Sequence, residues 1–168
     1  MKIVYFPGFG GSEKSNTFLK ILSIYPDSQA IIYNNTNADK AFIEIENQLK
    51  NVSTEINLII GQSLGGFWAE YFAIKHNKKL VLINPSFEPF KSLSKYDVSP
   101  KELNSFKKFR IAEKISAPIS IILSKNDTVV DPKPVLEKYN TLDFKYVEGD
   151  HIFTHYDILL KEIDIILK

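Results

Sequence analysis

Short apolar runs alternate along this chain with longer stretches in which apolar positions recur every three or four residues. The runs Lys2–Phe6, Ala30–Tyr33, Ile56–Ile60, Leu80–Ile83, Ile119–Leu123 and Phe144–Val147 read as strands. Glu13–Tyr25, Ala38–Val52, Gly65–His76, Pro132–Tyr139 and Tyr156–Leu167 read as helices. Phe18, Leu19, Ile21 and Leu22 mark the apolar side of the first, and Phe42, Ile45 and Leu49 that of the second. Ile56–Ile60 is almost continuously apolar, as expected of a parallel strand covered on both faces. Strand and helix in repeated alternation predict an α/β fold: a three-layer α/β/α sandwich around a mostly parallel sheet, with right-handed crossovers.

No repeat, low-complexity segment or linker divides the chain, so one domain over residues 1–168 is expected. The long connection Asn84–Pro118 contains Phe87, Phe90, Tyr96, Phe106 and Phe109. A stretch of that length reads as a small cover insertion around residues 86–112, over one end of the sheet. An ordinary crossover helix with a ragged start fits it equally well.

Composition narrows the possibilities. With 168 residues, 44% hydrophobic and 24% charged, the chain has globular proportions, and at ~150 residues folding buries roughly 68–70% of the unfolded surface. The formal net charge of +1 argues against a nucleic-acid partner. Arg110 is the single arginine among the 21 basic residues, which leaves little capacity for bidentate phosphate or carboxylate binding. The cluster Lys107, Lys108 and Arg110 reads as a solvated helix face. No run approaches the ~18–20 apolar residues of a membrane span, and Met1–Gly8 has no signal-peptide pattern, so a cytoplasmic protein is expected. The absence of cysteine excludes thiol nucleophiles, disulfides and Cys-ligated zinc.

The candidate chemistry sits at strand ends. Gly61-Gln62-Ser63-Leu64-Gly65 follows an apolar strand and opens a helix, the context a G-x-S-x-G nucleophile elbow requires. Glycines flank such a serine because Cβ atoms there would collide with the adjoining strand and helix, and the helix N-terminus favours developing negative charge. Serine needs a base, and the chain offers only three histidines. His151 follows the late strand through Glu148-Gly149-Asp150, at the sheet edge that carries the elbow; His155 is the alternative. His76 falls at the far end of the elbow helix and reads as a surface or capping residue. Ser124-Lys125-Asn126-Asp127 puts Asp127 after the preceding strand, where it could orient the imidazole; Asp131 competes, and Asp150 is close in sequence to His151.

An oxyanion hole would take the backbone N–H of Leu64 and one from the loop Pro7-Gly8-Phe9-Gly10-Gly11-Ser12, with Phe9 the first candidate and Gly10 the second. That loop lacks the Lys-Ser/Thr ending of a P-loop and the dinucleotide G-x-G-x-x-G spacing. Gly10, Phe87 and Phe90, with Tyr96 and Phe109, are expected to line a modest substrate pocket. No metal or organic cofactor is called for; His151 and His155 are four apart, but across an expected loop. Ser63 at the elbow, in place of aspartate, excludes a haloalkane dehalogenase.

With these residues in view, the chain resembles the α/β-hydrolase superfamily and, more narrowly, the small YqiA/YcfP-type esterase-like family. The likeness runs through Tyr5–Phe9, Gly61–Trp68, Ile83-Asn84-Pro85, Pro89-Phe90, Leu123–Asp127, His151 and Phe153. It implies a Ser63, Asp127 and His151 triad and hydrolysis of a small-molecule carboxylic ester or thioester. A binding module on the same fold is the other reading. One position departs from the family: its first loop usually reads His-Gly-Phe, and Pro7 stands where the histidine would be. Proline offers neither a side-chain hydrogen bond nor an amide, so other groups have to hold that loop.

Overall fold

The computed structural model describes residues 1–50, 52 and 54–168. Strands β1 (Lys2–Phe6), β2 (Gln29–Ala30), β3 (Ile56–Gln62), β4 (Lys79–Ile83), β5 (Ile119–Ser124) and β6 (Lys145–Val147) form one sheet. Their order is β2-β1-β3-β4-β5-β6, and every pairing is parallel. Successive side chains of a strand point to opposite faces, and the core divides accordingly. Ile3, Tyr5, Leu58, Ile60, Val81, Ile83 and Ile122 pack under α1 (Asn16–Ile24) and α7 (Tyr156–Leu167). Val4, Phe6, Ile59, Leu80, Leu82, Ile121 and Leu123 pack under α2 (Ala38–Leu49) and α3 (Leu64–His76). The expected three-layer α/β/α sandwich is what forms, with a wholly parallel sheet.

Most boundaries follow local signals. Ser15 caps α1 by accepting from the Phe18 N–H at 3.3 Å, so that helix starts later than the apolar pattern suggested. Asn37 caps α2 in the same way. The expected continuation of α2 through Asn51 lies outside the described residues. Strand β2 is shorter than expected and earlier in the chain. Ile31 and Tyr33 are buried, but the Ile32 N–H donates to Gln48 Oε1, and Ile32 O accepts from Gln48 Nε2. A side chain of α2 thus takes the backbone groups that further pairing at this sheet edge would need.

The connection after β4 holds the short helices α4 (Pro89–Ser92) and α5 (Pro100–Ser105), each followed by a 3₁₀ turn. A capping box between Ser99 and Glu102 starts α5. Phe106 and Phe109 pin the segment onto α3, with ring centroids 5.8 Å from Phe67 and 5.2 Å from Trp68 respectively. Helix α6 (Lys133–Lys138) lies between β5 and β6. Among the described residues no helix is long and apolar enough to cross a membrane.

Candidate active site

The chain runs from β1 outward to β2 and returns to place β3 on the other side of β1, so strand order reverses between β1 and β3. In open parallel sheets the crevice at the C-terminal ends of such strands is where ligands bind. Two loops meet there: Pro7–Gly11 after β1 and the elbow after β3.

Ser63 is a non-glycine residue at φ 53° and ψ −122°, a conformation that costs energy unless its surroundings enforce it. Three backbone bonds do so. The Ser63 N–H donates to Ile83 O at 2.9 Å, and Ser63 O accepts from the Gly66 and Ser86 N–H groups, each at 2.9 Å. Gly65 makes the turn possible: a Cβ there would stand 2.0 Å from Phe6 O, inside the backbone of β1. A five-residue spacing thereby becomes a half-buried serine in the cleft wall at the head of α3.

His151 Nε2 lies 2.9 Å from Ser63 Oγ, and His151 Nδ1 lies 2.7 Å from Asp127 Oδ2. The other Asp127 oxygen, Oδ1, accepts from the Val129 and Val130 N–H groups at 2.8 and 3.0 Å. Burial alone would push the Asp127 carboxyl up; the bonds from His151, Val130 and Val129 outweigh it and hold the group below the usual carboxylate range. Asp127 is therefore an ionised acceptor that favours an N–H on His151 Nδ1 and leaves Nε2 with its lone pair facing the serine.

The competing residues lie elsewhere. His155 sets Nε2 against Glu148 O, and Asp131 Oδ1 accepts from the Lys133 N–H at the start of α6. Asp150 Oδ1 accepts from the Ile152 N–H. His76 ends α3, with its ring stacked on Phe72.

The loop after β1 is held by groups that replace the missing histidine. Tyr33 donates its hydroxyl to Pro7 O at 2.6 Å, and Asn35 Oδ1 accepts from the Gly10 N–H at 2.5 Å. The Gly11 N–H donates to Gly8 O at 2.9 Å. Among the described residues neither the Phe9 nor the Leu64 N–H is bonded to an acceptor. Gly10 is the correction here. Its amide is engaged by Asn35, and it does not line the cleft around Ser63.

That cleft has a volume of about 290 Å³. The segment after β4 contributes Ser92, Leu93 and Tyr96, and the Tyr96 ring stacks on Phe9 at 4.7 Å. Three expected aromatic lining residues are absent from it. Phe87 is buried against Tyr139 and Lys138, and Phe90 packs beneath Lys107, whose ammonium lies 5.4 Å from the ring centroid. Phe109 joins the aromatic cluster on α3 instead. Apolar surface packs where it can be buried, and each of these rings finds its partner away from the cleft.

Asn84 has a part that its motif did not assign. At φ 44° and fully enclosed, it accepts from the Ser124 N–H at 2.7 Å, and its amide nitrogen donates to Ser124 Oγ at 2.9 Å and to His151 O at 3.4 Å. One side chain at the end of β4 thus ties the loop carrying Asp127 to the loop carrying His151. Asn126 reinforces the tie by donating its N–H to Gly149 O at 3.0 Å. The signal in the sequence was the Asn-Pro pair directly after an apolar strand.

Comparison with known proteins agrees with this architecture. A putative hydrolase from Agrobacterium vitis superposes with a TM-score of 0.80 at 13% identity, covering 99% of this chain and 88% of that one. Est1E from Butyrivibrio proteoclasticus superposes with a TM-score of 0.74 at 12% identity, covering 99% and 86%. The fold is that of the α/β hydrolases. In sequence, a UPF0227 protein of Shewanella woodyi is 35% identical over 99 residues, 56% of this chain and 55% of the relative. Residues 2–166 match the model of the family described as Uncharacterised protein family (UPF0227), the YqiA/YcfP-type group that the motifs resemble, and the chain belongs to that family.

Proposed function

We propose that the protein is a serine hydrolase acting on small carboxylic esters or thioesters through Ser63, His151 and Asp127. The observation that carries this reading is the unbroken run of hydrogen bonds from Asp127 Oδ2 through the imidazole to Ser63 Oγ, 2.7 and 2.9 Å long. The fold it shares with a putative hydrolase from Agrobacterium vitis supports the same class of reaction.

The steps follow from the geometry. Ser63 Oγ attacks the substrate carbonyl carbon while His151 Nε2 takes its proton. The carbonyl oxygen becomes an oxyanion, and the Phe9 and Leu64 N–H groups are the donors available to it. As the tetrahedral intermediate collapses, the bond to the alcohol or thiol breaks and His151 returns the proton to the departing oxygen or sulfur. Water, deprotonated by the same nitrogen, then attacks the acyl-serine. The second collapse releases the carboxylic acid and restores the Ser63 hydroxyl. Asp127 remains ionised throughout, orienting the ring and stabilising the imidazolium.

A fluorophosphonate probe followed by mass spectrometry tests this directly. Labelling is expected on Ser63 and is expected to disappear in Ser63→Ala and His151→Ala. A folded protein that leaves the probe unreacted would overturn the hydrolase reading and favour a binding role for the cleft.

A further inference from the structure

The relay from Asp127 to Ser63 leaves part of the cleft wall unexplained. Tyr5 donates its hydroxyl to Gln62 Oε1 at 2.9 Å, and Thr17 donates to the same oxygen at 2.9 Å. Both donors are enclosed, at 1% and 4% exposure, so each needs a protein acceptor. Gln62 Oε1 serves both. Burial pushes the Tyr5 phenol up to about 12, so it stays a donor across the ordinary pH range. With the oxygen committed inward, the amide nitrogen is the end left for the cleft, and among the described residues it has no acceptor.

The rest of the lining is informative in its chemistry. The wall contains no Lys, Arg, Asp or Glu. A charged group entering it would lose hydration with nothing to replace it, whereas a neutral acceptor oxygen would meet the Gln62 N–H groups. Tyr5 belongs to the core under α1 and α7, while Leu93 belongs to the core on the opposite sheet face. The polar wall and the apolar wall therefore rise from the two faces of the sheet, with Ser63 at the end of the strand between them. Phe9 and Tyr96, stacked on each other, extend the apolar side to the rim, exposed at 38% and 41%.

We infer that Gln62, held in one orientation by Tyr5 and Thr17, is the specificity-determining residue of the cleft. It selects uncharged esters that carry a hydrogen-bond acceptor oxygen on one arm and an apolar group on the other. The inference rests on the serine-hydrolase reading and names the substrate class for that site.

The test uses isosteric ester pairs that differ by one ether oxygen. In the acyl arm these are p-nitrophenyl butyrate and methoxyacetate; in the alcohol arm, butyl and 2-methoxyethyl acetate. Each kcat/KM is divided by the ester's rate of alkaline hydrolysis, which removes intrinsic reactivity. One neutral hydrogen bond predicts a preference for the ether of about 5- to 10-fold in one arm. In Gln62→Met that ratio is expected to fall close to unity, and a p-nitrophenyl hemisuccinate, with its carboxylate, is expected to be the poorest acyl substrate of wild type. Because the ratio is internal to each variant, general damage to the site moves both esters together. Should Gln62→Met fail to fold, Thr17→Val removes one of the two hydroxyls from Oε1, and the same ratio must drop. Turnover with labelled Ser63 but equal rates in both arms, or a ratio unchanged in the variants, overturns the assignment of Gln62 alone. An absence of both turnover and labelling overturns the hydrolase reading as well.

Discussion

Two clefts among the described residues make a contrast, and the larger of the pair holds none of the relay residues. It measures about 790 Å³ and is walled by Glu70, Glu88, Arg110 and Lys138 together with Phe87 and Phe109. These four charged groups are already engaged in ion pairs. Glu70 Oε1 accepts from the Tyr139 hydroxyl at 2.6 Å and from Lys138 Nζ at 3.0 Å, and Glu88 pairs with both Lys91 and Arg110. The cleft at Ser63 has about 290 Å³ and no charged wall residue, yet its polar groups are unspent: the Phe9 and Leu64 N–H groups, the Gln62 amide nitrogen and a serine on a strained turn. Volume reports where side chains fail to fill space. Chemistry needs donors and acceptors left open in a fixed geometry, and the smaller cleft has them.

The widest separation between the two regions should come from their central groups. Ser63→Ala removes the proposed nucleophile and is expected to lower ester hydrolysis by about 10⁴-fold or more, with the unfolding midpoint little changed. Asp127→Asn keeps the shape of the carboxylate but reverses which imidazole nitrogen carries the proton, and a loss of up to about 10⁴ in kcat is expected. Both are read by steady-state kinetics on one ester. Substantial activity remaining in either variant would move the chemistry away from this cleft.

The same contrast shows what the sequence could carry. The strands, and the placement of the elbow, Asp127 and His151 at one sheet edge, were legible because each rests on a local signal: an apolar run, a glycine spacing, a chain position after a strand. The aromatic residues after β4 were not. Phe87, Phe90 and Phe109 were expected at the substrate, but where each ring packs depends on the partner the fold offers: Tyr139, Lys107 and the Trp68 cluster respectively. Tyr5 and Thr17 escaped for the opposite reason. Tyr5 sits inside an apolar strand that reads as core, Thr17 directly before the apolar positions of a helix, and only the fold brings both hydroxyls to Gln62. Pro7 posed a question that Tyr33 and Asn35 answer from a different loop.

Lys138→Met tests the larger cleft by leaving Glu70 enclosed without its cation. Lys138 is itself largely buried, with 13% of its side chain exposed, so breaking the pair is expected to cost about 3–5 kcal/mol in urea unfolding. Fluorophosphonate labelling per folded molecule should stay at the wild-type rate. A slowed labelling rate with stability unchanged would mean that the two clefts are coupled, and the contrast drawn between them would fail.

The smallest effect, and the sharpest, is in acid. Asp127 is held below its ordinary value of 3.8, so its ionised form stabilises the fold above that value, and the contribution is lost as pH falls through the depressed one. Glu70 is displaced the other way: burial pushes its carboxyl up, against the pull of Lys138 and Tyr139. Its favourable contribution is complete below the ordinary value of 4.5 and is lost as pH rises through the raised one. The two carboxylates therefore tilt the stability curve in opposite senses. In urea unfolding between about pH 3 and 7, the stability of wild type over Asp127→Asn should shrink at the acid end, below the ordinary value of 3.8. The stability of wild type over Glu70→Gln should instead diminish as pH rises above its ordinary value, since glutamine can still accept from Tyr139 but carries no charge to desolvate. Parallel slopes in the two variants would show that Asp127 is as poorly solvated as Glu70. The relay would then lack the ionised acceptor that keeps His151 facing Ser63 with a free lone pair.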